Sequence, residues 1–342
     1  MRASVVYWFA GDRLRSDGGG MRVLAWQTAL VDLGYETQIL PLRVLGGNGR
    51  GGSVLSKAKR AVFPMPFEQQ LPDVGSSDLV VATVPGVFRS AVRRVPKDRL
   101  LFDWMDRWSS SARSMKATSI VSRPGSALQA ATWARREHRL PGMARGNAYA
   151  GYDDFERMRS ADGSAHQWLP NPLPFVGGDT SRVPSRPKRV GFIGSLDYPP
   201  NEASLRQFFA RYSQRLAEEG IEVVVAGFGS DRVRGWDVGA TVIGEVSSPS
   251  VLYGRVDAAI VPIDHGGGIK IKAIEALSYG LPVFATEHVR LGFSPAFRDS
   301  ILDLDALFDR QVAPPGPLAR TEFDSAFSQD AFTVVVERLL HG

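Results

Sequence analysis

The sequence predicts an α/β protein of two parallel-sheet domains, on three observations. Strand-like apolar runs alternate with stretches of helical apolar spacing along most of the chain, as in a parallel sheet with crossover helices. That alternation starts twice, at residues 3–10 and again at Arg189–Ile193. Between the two starts, residues 173–188 are rich in proline, glycine and serine and follow neither period, which marks a linker. A chain of 342 residues exceeds the size one core usually serves, and its 44% hydrophobic residues can fill two.

The elements follow in order. Residues 3–10 read as a strand, Gly11–Gly20 as a polar glycine loop, Met21–Leu33 as a helix stopped by Gly34, and Thr37–Leu40 as the next strand, a βαβ opening. Gly46–Gly52 reads as a mobile loop leading to a basic helix with Lys57, Lys59 and Arg60. Leu79–Val84 and Leu100–Trp104 are buried strands, the second running into an Asp-x-x-Asp of Asp103 and Asp106 with Trp104 and Trp108 beside them. Sites in parallel sheets lie beyond the strands' carboxyl ends, so both aspartates are site candidates; Asp106 could equally cap the Ser109-Ser110-Ser111 stretch. Ala127–Leu140 is a basic helix, Asn147–Gly151 a short strand, Tyr152 begins a helix with acidic first-turn residues, and His166–Leu169 closes the half. After the linker come a strand to Ile193, a Gly194-Ser195-Leu196 turn, a helix over Glu202–Glu218, and strands at Ile221–Ala226, Thr241–Ile243, Ala258–Val261 and Val283–Thr286. Phe323–Leu340 reads as one final amphipathic helix.

Composition narrows the function classes. The chain has no cysteine, which excludes disulfides, zinc–thiolate sites and cysteine nucleophiles and fits a cytoplasmic address. No apolar run reaches the roughly 18 residues of a membrane span, and the Met1–Asp12 stretch reads as a first strand rather than a signal peptide. The formal charge of +5 favours anionic partners: nucleotide sugars, lipid pyrophosphates, an acidic leaflet or nucleic acid. Its basic residues, among them Arg93, Arg94, Lys97, Arg99, Arg135, Arg136 and Arg139, are scattered, which suits a solvated surface or peripheral contact with the inner membrane face, and no nucleic-acid motif accompanies them. The P-loop string, a well-placed G-x-G-x-x-G and a G-x-S-x-G elbow are all missing, and the five histidines form no metal set.

Chemistry concentrates in the segment from Val261 to Val283. It reads as a strand end, the turn Gly266-Gly267-Gly268, and a helix with Lys270 and Lys272 at its start and Glu275 one turn later, closed by Gly280. Glycines permit close backbone approach, and a helix start offers unpaired N–H groups at its positive end. Cations sit badly there, so two lysines imply an anion that compensates them. Glu275 is placed to accept hydrogen bonds from a diol, or to pair with Lys272 across one turn. The residues alone thus indicate phosphate plus hydroxyls, a nucleotide or sugar phosphate.

The string from Gly266 to Thr286 resembles the donor-binding motif of family 4 glycosyltransferases of the GT-B fold, G-G-G-[TI]-[RK]-L-K-x-x-E-A-M-A-x-G-x-P-V-V-A-T. The likeness extends to G-F-I-G-S-L-D-Y-x-P-N at residues 191–201, to the Leu169-Pro170-Asn171 strand end, and, within residues 102–108, to a Y-D-x-x-D-D stretch of a bacterial cell-surface polysaccharide branch. It covers most of the chain and is densest over 188–293.

The resemblance implies two Rossmann-like domains facing a cleft: an acceptor domain over 1–172, a linker over 173–188, a donor domain over 189–320, and a terminal helix over 321–342 crossing back. It implies sugar transfer from a nucleoside-diphosphate sugar to a saccharide or lipid-linked acceptor, with retention, no divalent metal and no cofactor beyond that co-substrate. The donor's diphosphate is then expected over Gly194, Ser195, Gly267 and Gly268, with Lys270 as countercharge and Lys272 either a second countercharge or a partner of the sheet. Gly244 and Val246 are expected at the base, Glu275 at the ribose, and His265 at the sugar unless it is a solvated turn residue. Gly19 and Gly20 match the glycine pair after the first strand; a plain surface turn fits them nearly as well. Asp103 and Asp106 fall on the acceptor side, and Lys270, Glu275 and Asp106 are the catalytic candidates. The pattern departs from many relatives in two ways: Gly267 stands where they carry a glutamate, and Leu196–Pro200 where others carry an arginine and a lysine. These departures leave room for a silent nucleotide-sugar-binding subunit, and transfer to nucleic acid or protein is a further alternative. Asp303-Leu304-Asp305 resembles a metal-binding Asp-x-Asp of another fold but is expected in a C-terminal helical region away from the site.

Overall fold

The computed structural model describes residues 1–42, 68–115, 123–159, 164–177 and 186–341. The loop and basic helix expected over Gly46–Arg60 lie outside the described residues. The chain divides into two compact units: Met1–Pro172 with Gly266–Ile269 and Gln329–Gly342, and Leu173–His265 with Lys270–Ser328.

The first unit holds a six-stranded parallel sheet of β1 (Arg2–Tyr7), β2 (Glu36–Pro41), β3 (Leu79–Ala82), β4 (Leu100–Trp104), β5 (Gly146–Tyr149) and β6 (Ala165–Trp168), in the order β2-β1-β3-β4-β5-β6. Its helices are α1 (Gly18–Asp32), α2 (Pro85–Arg94), α3 (Trp108–Met115), α4 (Arg123–Arg139) and α5 (Tyr152–Met158). Strands β3 and β4 are buried at every residue, which is why they read as unbroken apolar runs rather than as alternation. Phe88 and Phe102 stack at 4.1 Å, with Trp104 edge-on to Phe88, at the centre of the core.

The expected glycine loop is structured instead. Gly11–Ser16 forms a 3-10 turn, and Gly18–Gly20 are the first turn of α1, capped by Asp17, whose Oδ1 accepts from Gly20 N at 2.6 Å. Helix α2 was not anticipated, although Val87, Phe88 and Ala91 recur at helical spacing on its buried face and Pro85 marks its first turn.

The second unit holds β7 (Arg189–Ile193), β8 (Glu222–Ala226), β9 (Thr241–Gly244), β10 (Ala258–Val261), β11 (Val283–Ala285) and β12 (Ile301–Asp303), in the order β12-β11-β10-β7-β8-β9, again all parallel. Its helices are α6 (Pro199–Glu219), α7 (Ser250–Tyr253), α8 (Ile271–Ser278), α9 (Glu287–Arg290), α10 (Pro295–Arg298) and α11 (Arg320–Phe327). Prolines at the first positions of α6 and left-handed Gly220 (φ 60°) after its last turn fix its two ends. Strand order reverses between β7 and β10, so the ends of these two strands form the topological switch point where parallel sheets bind ligands.

Of the Asp303-Leu304-Asp305 string expected in a helical region, Asp303 instead ends the edge strand β12, while Leu304 and Asp305 open a 3-10 helix that the Asp303 side chain caps by accepting from Asp305 N at 2.9 Å. The final helix is two helices. Ser328 is extended (ψ 160°) after α11, and α12 (Gln329–His341) follows. Phe323 and Phe327 belong to the second unit's core, whereas Phe332, Val336 and Leu339 belong to the first unit's, so one apolar stripe serves two cores and breaks between them. Within the segment expected as linker, Val176 and Gly177 donate to Ser278 O at 3.0 and 2.9 Å, inside the second unit.

Candidate functional site

In the second unit, three neighbouring parallel strands end in glycine. Gly194 follows β7, Gly227 follows β8, and Gly244 ends β9. Gly194 N donates to Ala226 O at 3.1 Å and Gly227 N to Gly244 O at 2.8 Å, so the ends are laced together. A Cβ on Gly227, at φ 114°, would collide with the Gly194 carbonyl, and one on Gly194 would lie 2.9 Å from Lys272 Nζ. The strand ends thus form a floor without side chains beside the switch point. Gly194 and Gly244 were expected there; Gly227 was not, although Gly227-Phe228-Gly229 stood at the end of a predicted strand.

Helix α8 begins at Ile271, so Lys270 is its N-cap rather than a first-turn residue, and Lys272 is the second residue inside. Lys270 therefore stands beside the unpaired amides and positive dipole end of the helix. The two lysines have different surroundings. Lys272 Nζ donates to Asn201 Oδ1 at 3.0 Å and lies 4.6 Å from the Phe192 ring centroid, while Asn201 Nδ2 donates to Ser195 O at 2.9 Å. Burial, reinforced by Lys270 and opposed by Glu275, pushes the Lys272 amine down to about 7. Lys272 thereby ties the turn at Gly194-Ser195 to the start of α8.

Glu275 lies one turn along α8. Its Oε2 accepts from the Tyr253 hydroxyl at 3.1 Å, and that hydroxyl is 3.3 Å from Lys272 O. Burial raises the Glu275 carboxyl above the ordinary value, against the Tyr253 hydrogen bond and Lys272, which lower it. Burial raises the Tyr253 phenol as well, with Glu275 adding to the shift. His265, half-buried before the glycine turn, is held below its usual value by burial, with Lys270 adding to the shift and Asp264 opposing it. Val246 is half-exposed beyond β9.

In the first unit, Gly267 and Gly268 pack against the chain after β4. A Cβ on Gly267 would lie 2.5 Å from Arg107 N and from Asp106 Cβ, and one on Gly268, at φ 64°, would strike the Met105 carbonyl. Gly268 N donates to Asp154 Oδ2 at 2.9 Å, and Asp154 pairs with Arg107 at 2.9 Å. These two glycines therefore serve a close approach of backbone to backbone. The structure brings Asp106 and Gly267 together; it also gives Asp106 a bond from Ser111 Oγ at 3.3 Å, next to α3.

Asp103 goes elsewhere. Fully buried, it accepts two bonds from Arg22 Nε (3.0 and 2.8 Å), one from Arg22 Nη2 (2.7 Å) and one from Trp26 Nε1 (2.8 Å). Arg22 Nη1 continues to Leu169 O at 2.6 Å and Asn171 Oδ1 at 3.3 Å. Asp103 is thus an interior strut joining α1, β4 and the end of β6, with no oxygen facing solvent. Gly19 and Gly20 are packing positions in the same sense: side chains there would meet the Tyr7 hydroxyl and the Leu14 carbonyl. Asp305, in the Asp-x-Asp string, accepts from Tyr212 and Arg211. Among the described residues no cluster of three His, Asp or Glu side chains could hold a metal ion, and no helix is long and apolar enough to cross a membrane.

Residues 187–300 match the family described as Glycosyl transferases group 1. A comparison with curated proteins finds no match. Solved structures match over the whole chain. A sucrose-phosphate synthase from Thermosynechococcus elongatus aligns at a TM-score of 0.63 and 13% identity, over 99% of this chain and 98% of its own. An α,α-trehalose 6-phosphate synthase from Burkholderia multivorans aligns at 0.59 and 11%, over 99% and 98%. An Anabaena protein solved with UDP and glucose aligns at 0.57 and 12%, over 100% and 99%. The fold is accordingly GT-B, two Rossmann-like domains, as the sequence predicted.

Proposed function

We propose that the chain is a glycosyltransferase of the family 4 type that moves a sugar from a nucleoside-diphosphate sugar to a saccharide or lipid-linked acceptor, with retention and without a divalent metal, in the synthesis of cell-surface polysaccharide at the cytoplasmic side. The observation that carries this reading is the convergence, at the switch point of the second sheet, of the Gly194–Gly227–Gly244 floor with the start of α8 and the two residues Lys270 and Glu275. The match over residues 187–300 spans this same region. The Anabaena structure holds UDP, which makes uridine diphosphate the first nucleotide to try.

Each group has a task in this reading. Amides at the start of α8 and the Lys270 ammonium stabilise the departing diphosphate, since fixed donors aimed at developing charge lower a transfer barrier by a few kcal/mol each. Glu275 takes the ribose hydroxyls. A glutamate at position 267 would have no room in this packing, so the leaving-group contacts carry more of the work. Binding without turnover against every acceptor would favour the silent-subunit alternative, which that same glycine motivates.

A thermal-shift panel of nucleoside diphosphates and their sugars tests the binding. A ligand at a hundred times its dissociation constant stabilises by about 2.7 kcal/mol. The parent should respond to at least one diphosphate, and Lys270→Ala should lose that response while keeping its own melting temperature. A variant that binds as well as the parent overturns the assignment of Lys270.

A further inference from the structure

We infer that Tyr253 is a positioning residue that sets the carboxylate of Glu275 for recognition of a ribose diol, so that the Tyr253–Glu275 pair makes the site discriminate ribonucleotides from deoxyribonucleotides. The inference rests on the nucleotide reading given above and deepens it.

The Tyr253 hydroxyl is a single donor with two oxygens in reach, Glu275 Oε2 at 3.1 Å and Lys272 O at 3.3 Å. Both acceptors lie on α8, one turn apart. The phenol is itself fixed: its residue is 5% exposed, it ends α7, and its ring packs on Tyr279 at 4.9 Å between centroids. A carboxylate on an exposed helix face samples several rotamers, and binding must then restrict them at an entropic cost. Here one oxygen is held from behind by a buried phenol. Oε1 has no protein hydrogen bond among the described residues and keeps its lone pairs for a ligand.

The chemistry selects a neutral donor for this position. A lysine or arginine there would pair with the carboxylate and compete with a ligand; a phenol donates one hydrogen bond and leaves the negative charge on the acid. Both groups are raised above their ordinary values, as fits a phenol that keeps its proton while donating to a partly buried carboxylate. A diol supplies two hydroxyl donors to such an oxygen, whereas a 2′-deoxy sugar supplies one.

The test compares affinities for UDP and 2′-deoxy-UDP, with the GDP pair alongside, in the parent, Tyr253→Phe and Glu275→Gln. The parent should prefer the ribo form by about tenfold, as expected for a hydrogen bond to a charged acceptor. Tyr253→Phe keeps the ring stack, and its preference should fall to within about twofold of unity while its melting temperature stays near the parent's. Glu275→Gln should lose the preference as well. If Tyr253→Phe discriminates like the parent while Glu275→Gln does not, the positioning role is overturned and the nucleotide site stands. If the parent binds nucleotide without preference, the Glu275 assignment and this inference fall together, whereas Lys270→Ala still reports on the diphosphate. Should Tyr253→Phe melt early, the ratio of its two affinities still decides, since loss of folded protein lowers both alike.

Discussion

Each unit of this protein encloses a basic side chain, fully at Arg22 and partly at Lys272, and the two are compensated very differently. Arg22 in the first unit has a carboxylate accepting three of its hydrogen bonds, a carbonyl and an amide oxygen behind that, and the Phe332 ring at 5.5 Å. Lys272 in the second has one neutral amide oxygen and one aromatic ring. Arg22 is thus an internal girder, whereas Lys272 has no carboxylate within hydrogen-bonding distance among the described residues. The same contrast separates Asp103, which the sequence put on the acceptor side, from the lysines of α8.

The largest expected effect comes from breaking the completed pair. Asp103→Ala leaves Arg22 charged and enclosed, which costs about 3–5 kcal/mol, and it also strands the Trp26 indole N–H. Thermal unfolding should shift down by several degrees, about 4 °C or more. Replacing both partners by apolar residues of similar volume, Arg22→Met with Asp103→Leu, should restore most of the loss, because the desolvation cost disappears with the charges. A double variant as unstable as the single one would give the carboxylate a role beyond balancing Arg22.

A smaller effect is expected at Lys272, with a pH signature. Its amine sits at about 7 when folded, against an ordinary value of 10.5. Between those values the unfolded chain holds a proton there that the folded chain lacks, so stability rises with pH across about 7 to 10.5 and is lowest below that window. Lys272→Met should flatten this rise and match or exceed the parent's stability at pH 7. A diphosphate favours the charged amine, so binding near pH 8 should take up a proton in the parent and none in the variant, measured calorimetrically in two buffers of different ionisation enthalpy. Affinity should fall by about tenfold or less. Equal proton uptake in both proteins would remove Lys272 from the anion site and leave it a partner of the sheet.

This contrast also shows what the sequence could carry. Strands such as Leu100–Trp104 and Ala258–Val261 were legible because burial on both faces leaves a continuous apolar run. The α8 motif was legible because turn, helix start and acid all sit within ten residues. Pairings across long separations were not: Arg22 lies 81 residues from Asp103, and Tyr253 lies 22 from Glu275. Nothing local in a short helix ending in tyrosine announces an acid partner. Glycine at 19, 20, 267 and 268 signals close approach, but sequence cannot tell a ligand from another stretch of backbone, and here backbone or a neighbouring side chain is what each would meet.

The weakest effect belongs to a charge pair at the surface. Asp305 accepts from Arg211 Nη2 at 2.8 Å and from the Tyr212 hydroxyl at 2.9 Å, with the arginine and aspartate side chains 66% and 50% exposed. Exposed pairs of this kind contribute about 0.2–1 kcal/mol, so Asp305→Asn should shift thermal unfolding by about a degree or two. The Tyr212 phenol is pushed up to about 12, first by burial and then by its bond to Asp305. Removing the negative charge should bring it part of the way back toward 10.0, visible in an ultraviolet titration of the tyrosinate band, with burial holding the remainder. Sugar transfer should be unchanged in this variant, with and without added manganese. A loss of activity together with a lost manganese response would make Asp303-Leu304-Asp305 a metal site after all, against the capping and pairing that occupy both aspartates.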